Sequence, residues 1–232
     1  MNKAAILFAA VLAFAISPLI VSPFTGYDPS AFPVAIARHP IQPAAWAFSI
    51  WGVIYGWLVL HALFGLLKRP EDPAWDVPRL PLTLAALIGA VWMPVAAISP
   101  AWGTITIWPM AIGAIIAFLR TDTARDRWLL SAPVAMLAGW LTAAASVSTG
   151  IYLAGHGFLS PFAAATAMLG LVLLIAIAVQ RSRPAMPVYG LTVIWALAGI
   201  VAANLSDDRT VAILTALGAA IIAAALLLPR RA

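Results

Sequence analysis

The chain has 232 residues, 64 % of them hydrophobic and 9 % charged, with a mean hydropathy of +1.02. A soluble domain carries about a quarter charged residues, so this composition excludes one and specifies a membrane protein, whose long apolar runs are helices because they do not alternate. The formal charge of +5 does not mark a nucleic-acid partner, since the basic residues sit in short loops, and the lack of Cys excludes disulfides, thiolate chemistry and iron–sulfur ligation.

A helix crossing the bilayer needs about 20 residues, and the sequence predicts eight, an all-α polytopic bundle. The first covers Ala4 to Val21. Its start, Met1-Asn2-Lys3 before an apolar run, also fits a signal peptide. No small-x-small cleavage site precedes a polar segment, which favours a retained helix. A loop from Ser22 to Gln42 follows, bearing Arg38 and His39. Helix 2 is expected from Ala44 to Leu67, helix 3 from Leu80 to Ile98 and helix 4 from Thr104 to Leu119. The uncharged stretch Ser99 to Gly103 reads as the turn between the last two. Helix 5 is expected from Trp128 to Ser148, and the glycine-bearing stretch Thr149 to Ser160 reads as a loop. Helices 6, 7 and 8 follow at Pro161 to Val179, Val188 to Asn204 and Val211 to Leu228.

The basic residues test this count. With a cytoplasmic N-terminus, eleven of the thirteen Lys and Arg fall on the inner side, Arg230 and Arg231 among them. Arg38 and Arg209 alone fall outside. That asymmetry follows the positive-inside rule, and it predicts both termini in the cytoplasm.

No Asp, Glu, Lys or Arg falls in the middle of a predicted span, which argues against proton pumps, voltage sensors and metal transporters. His39, His61 and His156 are too dispersed for metal-ligand spacing. His61 inside helix 2 suits a hydrogen bond within the bundle better than an axial haem bond. No nucleophile motif, acidic cluster or nucleotide-binding glycine pattern occurs, so no enzyme is expected. Asp207-Asp208-Arg209 reads as helix-cap chemistry.

Aromatic residues remain. On helix 2, Phe48, Trp51 and Tyr55 share one face, and Trp57, His61 and Phe64 form a second stripe. Gly52 and Gly56 form a Gly-x-x-x-Gly pair that admits a neighbouring helix. Helix 3 contributes Trp92 beside Pro94, and helix 5 contributes Trp140. Such rings can sandwich a planar or sterol-like apolar ligand. On spacing alone they suit ordinary bundle packing somewhat better.

The series Pro43-x-x-Trp46-x-Phe48-x-x-Trp51-x-x-x-Tyr55 resembles the signature of the TspO/MBR family, the translocator or tryptophan-rich sensory proteins. Trp92-Met93-Pro94 and the segment Pro133 to Ser148 are similar to further family motifs. The resemblance spans residues 1–150 and implies the family's five-helix bundle, with residues 151–232 as three additional helices. Three positions depart from the pattern: Gly89 and Ser148 stand where family members carry Asn, and Leu137 where Tyr is frequent.

The resemblance implies a pocket for tetrapyrroles or sterol-like molecules, used in sensing or transport. Its lining would be Pro43, Trp46, Phe48, Trp51, Tyr55, Trp92, Trp140, Ala144 and Ser148, with Arg38 and His39 as contacts for a ligand carboxylate. Arg38 is equally well read as a topology charge. Porphyrin or haem is the ligand implied; the bilayer, a small apolar ligand and a second copy of the chain are the partners expected. Two other readings stay open: a transporter of small neutral molecules using all eight helices, and a structural or assembly subunit.

Overall fold

Proline and small polar residues punctuate the apolar sequence and set where its helices begin. The computed structural model describes residues 2–20 and 26–227. Its long helices are α1 (Lys3–Ile20), α2 (Ile50–Lys68), α3 (Arg79–Ile98), α4 (Pro100–Leu119), α5 (Ser131–Gly155), α6 (Pro161–Ser182), α7 (Val188–Asn204) and α8 (Arg209–Leu227). A single helical turn, Pro73–Asp76, precedes α3, and no strand occurs among the described residues. Seven spans are long and apolar enough to cross a membrane; α7 is an apolar helix of 17 residues. Val21, Leu228, Arg230 and Arg231 lie outside the described residues.

Three boundaries differ from the sequence expectation. The stretch Ser99 to Gly103 is the first turn of α4 and not a loop. Ser99 caps it, its Oγ accepting from the Trp102 N–H at 3.3 Å, and Pro100 opens the helix without needing a hydrogen-bond donor. Helix α5 continues through Gly150 to Gly155. Those glycines admit loop side chains: a Cβ on Gly150 would lie 3.2 Å from Ile41, and one on Gly155 would strike the Phe32 ring. Helix 2 opens as a 3-10 turn, Ala45–Ser49, before turning α-helical at Ile50.

The first five helices close a ring. Helix α1 packs between α2 and α3, α3 packs on α4, α4 on α5, and α5 returns to α2. Helices α6 and α7 pack on α5 from the other side, and α8 rests on α6 and α7. Helix α5 is therefore central: nineteen of its 25 residues are buried, against six of 18 in α1. Its Ala, Gly and Ser content allows backbones to approach closely, the usual basis of helix association in lipid. Gly52 and Gly56 of α2, in contrast, face outward; a Cβ on either would meet nothing within 4 Å. No neighbouring helix of this chain uses that pair among the described residues.

The basic end of the bundle is tied by a polar network. Arg79, only 2 % exposed, donates to the carbonyls of Gly65 (3.2 Å), Arg69 (2.6 Å) and Pro70 (2.7 Å). It thereby satisfies carbonyls left free where α2 ends. Asp126 accepts from Arg69 Nε at 2.9 Å and from the indole N–H of buried Trp75 at 3.0 Å. The second stripe of α2 packs here. His61 stacks on Trp75 at 5.0 Å with Nδ1 2.8 Å from the Leu129 carbonyl, and the Trp57 N–H donates to the Trp128 carbonyl.

Candidate ligand-binding site

At the opposite end, residues 26–49 fold over the ring. Asn204, fully buried at the end of α7, donates to the Pro40 carbonyl at 2.7 Å and accepts from Arg38 at 3.1 Å. The Arg38 guanidinium also pairs with Asp207 at 3.0 Å. Asp208 caps α8 through the Val211 N–H, as its place in the sequence suggested. The Ala44 N–H donates to the Gly199 carbonyl, and the Trp195 N–H to the Ala47 carbonyl, both at 2.9 Å. These bonds hold the 3-10 turn that leads into α2.

The pitch of that turn decides which aromatics face inward. Residues three apart eclipse in a 3-10 helix, so Ala45 and Phe48 line the interior. Trp46 is turned outward, 46 % exposed, and packs edge-on against Trp195 with centroids 4.9 Å apart. Further along, Trp51 and Tyr55 stack at 5.1 Å, one α-helical turn apart.

Behind this wall lies a cavity of about 370 Å³ between the five-helix ring and the covering segment. Of the residues expected there, Pro43, Phe48, Trp51, Tyr55, Trp92, Trp140, Ala144 and Ser148 line it. Trp46, Arg38 and His39 do not. Arg38 is held by Asp207 and Asn204, and His39 is buried beside the Phe32 ring. Burial pushes the His39 pKa below its usual value.

The rings interlock edge to face. Phe14 meets Tyr55 at 5.0 Å and Trp51 at 5.8 Å, while Trp140 meets Phe48 at 5.8 Å and Trp51 at 5.9 Å. Such pairs prefer this arrangement because ring edges are positive and faces negative.

Polar atoms are few. At the covered end, Ser148 Oγ lies 2.9 Å from the Tyr27 hydroxyl and 2.8 Å from the Thr104 hydroxyl. Burial raises the Tyr27 pKa, partly offset by these hydroxyls. The Trp92 N–H donates to the Gly103 carbonyl at 2.9 Å. The buried Trp140 N–H finds no acceptor among the described residues. No Asp, Glu, Lys, Arg or His lines the cavity among the described residues.

Sequence reasoning missed Phe14, Tyr27, Gln42, Ala196 and Ile200, all of which line the cavity. Tyr27 and Gln42 lie in the loop before the aromatic series, where Asp28, Ser30, Arg38 and His39 are polar as well, so their local signal is weak. Phe14, Ala196 and Ile200 sit in uniformly apolar helices with none. Leu137, one of the departures, is fully buried and lies outside the cavity.

A family model described as TSPO-like protein matches residues 3–228 of the chain. The match continues through α8. No curated protein and no solved structure matches.

Proposed function

The chain belongs to the TSPO-like protein family, and from that premise we propose that it binds an apolar, planar small molecule in the aromatic cavity, for sensing or transport. It is an integral membrane protein whose apolar helices contact lipid. The observation carrying the proposal is the aromatic enclosure: rings from α1, α2 and α5, with Trp92 of α3, line one cavity of about 370 Å³. That volume falls in the range of small-molecule sites, roughly 300–1,000 Å³. Flat rings offer large contact area at little entropic cost, which suits a tetrapyrrole face or a sterol. The buried Trp140 N–H supports a ligand bearing an oxygen or nitrogen acceptor, since buried donors are rarely left unmatched. The lining offers no acid–base pair, so the reading is of a binding protein and not an enzyme.

The charge asymmetry supports both termini in the cytoplasm, and the covered end of the cavity then lies toward the outer face. Titration of the purified protein with protoporphyrin IX and with cholesterol, followed by tryptophan fluorescence, tests the proposal. Saturable quenching that weakens in Trp51→Ala and Trp140→Ala is expected. Quenching that is absent for both compounds, or unchanged in both variants, overturns it.

A further inference from the structure

Helix α7 lies outside the five-helix ring, yet it touches the site twice. Ala196 and Ile200, one helical turn apart, line the cavity. Between them Gly199 brings the helix against the covering segment. A Cβ there would lie 2.7 Å from the Ala47 Cβ and 3.1 Å from the Pro43 Cβ, so only glycine leaves room.

The same face of α7 carries the fastenings. Gly199 accepts from the Ala44 N–H, Trp195 donates to the Ala47 carbonyl, and Asn204 donates to the Pro40 carbonyl. Arg38, held by Asn204 and Asp207, extends the attachment to the loop before α8. The segment so attached carries Gln42, Pro43, Ala45 and Phe48 into the cavity lining. Its position against the ring is thus set by α7.

We infer that α7 is part of the binding site: Ala196 and Ile200 help determine which molecule fits, and Asn204 latches the segment that closes over it. The inference rests on the cavity being the ligand site. The five-helix ring alone would present a cavity lacking one wall and a covering segment lacking its anchor. Access to the cavity requires the Pro40–Ala47 stretch to leave α7.

The chain contains no Cys, so single cysteines report access without a background. In the full-length protein in detergent micelles, Ala196→Cys is compared with Val193→Cys, a fully buried position of α7 that does not line the cavity. Each is reacted with N-ethylmaleimide and the rate is followed by intact mass. Ala196→Cys is expected to react about tenfold faster. Adding Asn204→Ala removes the hydrogen bonds to Pro40 and Arg38 and is expected to raise the Ala196→Cys rate by at least about a further tenfold, a single hydrogen bond being worth up to about that much. The Val193→Cys rate stays unchanged. Equal rates at the two positions overturn the inference, and so does an Asn204→Ala effect that speeds both alike, which marks general loosening. Neither readout uses a ligand, so a failed protoporphyrin or cholesterol titration sinks the proposed function separately.

Discussion

The ring of Phe14 occupies the space that Gly89 leaves empty. A Cβ on Gly89 would lie 2.6 Å from the Phe14 ring and 2.7 Å from the Met110 methyl. The position where the resemblance expected a polar Asn is instead filled by an aromatic from α1, which then packs on Trp51 and Tyr55. One polar group of the pocket is thus exchanged for apolar wall.

This exchange predicts the behaviour of Gly89→Asn. The added side chain has no room, and overpacking of this kind costs about 1–3 kcal/mol. The variant is expected to unfold at lower temperature in detergent, and Phe14→Ala in the same chain is expected to restore part of the loss. A Gly89→Asn protein as stable as the parent would show that Phe14 does not depend on the glycine.

Trp140→Phe separates stability from binding. It removes a buried N–H that has no acceptor among the described residues, while keeping an aromatic ring against Phe48 and Trp51. The free protein loses no hydrogen bond, so its melting temperature is expected to stay level or rise. Affinity for a ligand that accepts from this donor falls by about tenfold, one hydrogen bond's worth. Fluorescence titration beside thermal unfolding reads both; a drop in stability with unchanged affinity would reverse the assignment.

His39 makes the covering segment sensitive to acid. Its pKa in the folded protein is lowered by burial, so between that value and the usual 6.5 the unfolded chain binds the proton more readily. The stabilisation from keeping His39 neutral is therefore present above pH 6.5 and is lost as pH falls through the lowered pKa. The slope is at most about 1.4 kcal/mol per pH unit for one proton. Melting temperatures measured between pH 7.5 and about 5 are expected to fall less steeply in His39→Phe than in the parent.

At the basic end, Asp126 is a joint. Its hydrogen bond with Arg69 holds its carboxyl below the ordinary carboxylate range, with help from the Trp75 N–H and against some desolvation. Asp126 also has a positive φ of 46°, a conformation that Asn tolerates. Asp126→Asn thus keeps the backbone and removes the charge. The expected loss is about 1–2 kcal/mol at neutral pH, since hydrogen bonds to charged groups are worth more than neutral ones. It should shrink as pH falls through the depressed pKa, where the parent carboxylate also becomes neutral. Denaturant unfolding at pH 7 and at about pH 2, below the usual carboxylate range, checks both points.

The helices were legible because each is a long apolar run, and apolar runs of that length have one stable form in lipid. The shared face of Phe48, Trp51 and Tyr55 was legible from α-helical phasing, which the 3-10 turn alters only before Ile50. Trp46 was misplaced because the turn's three-residue pitch rotates it toward Trp195. The ends of α4 and α5 were misread for a different reason. Ser-Pro and glycine are common turn signals, but here the first caps a helix and the second admits Phe32 and Ile41.

By itself the sequence determined a helical membrane protein, the order of its apolar helices and the aromatic face of α2, because these depend on composition and on spacing within one segment. Tertiary structure alone decided that Phe14 stands in for a missing side chain at Gly89, that Arg38 turns to Asp207, and that α7 supplies part of the cavity wall. The first two join residues 75 and 169 positions apart, Gly89 with Phe14 and Asp207 with Arg38. Nothing in local periodicity distinguishes an Ala or Ile that faces lipid from one that faces a cavity; only the packing of the other helices does.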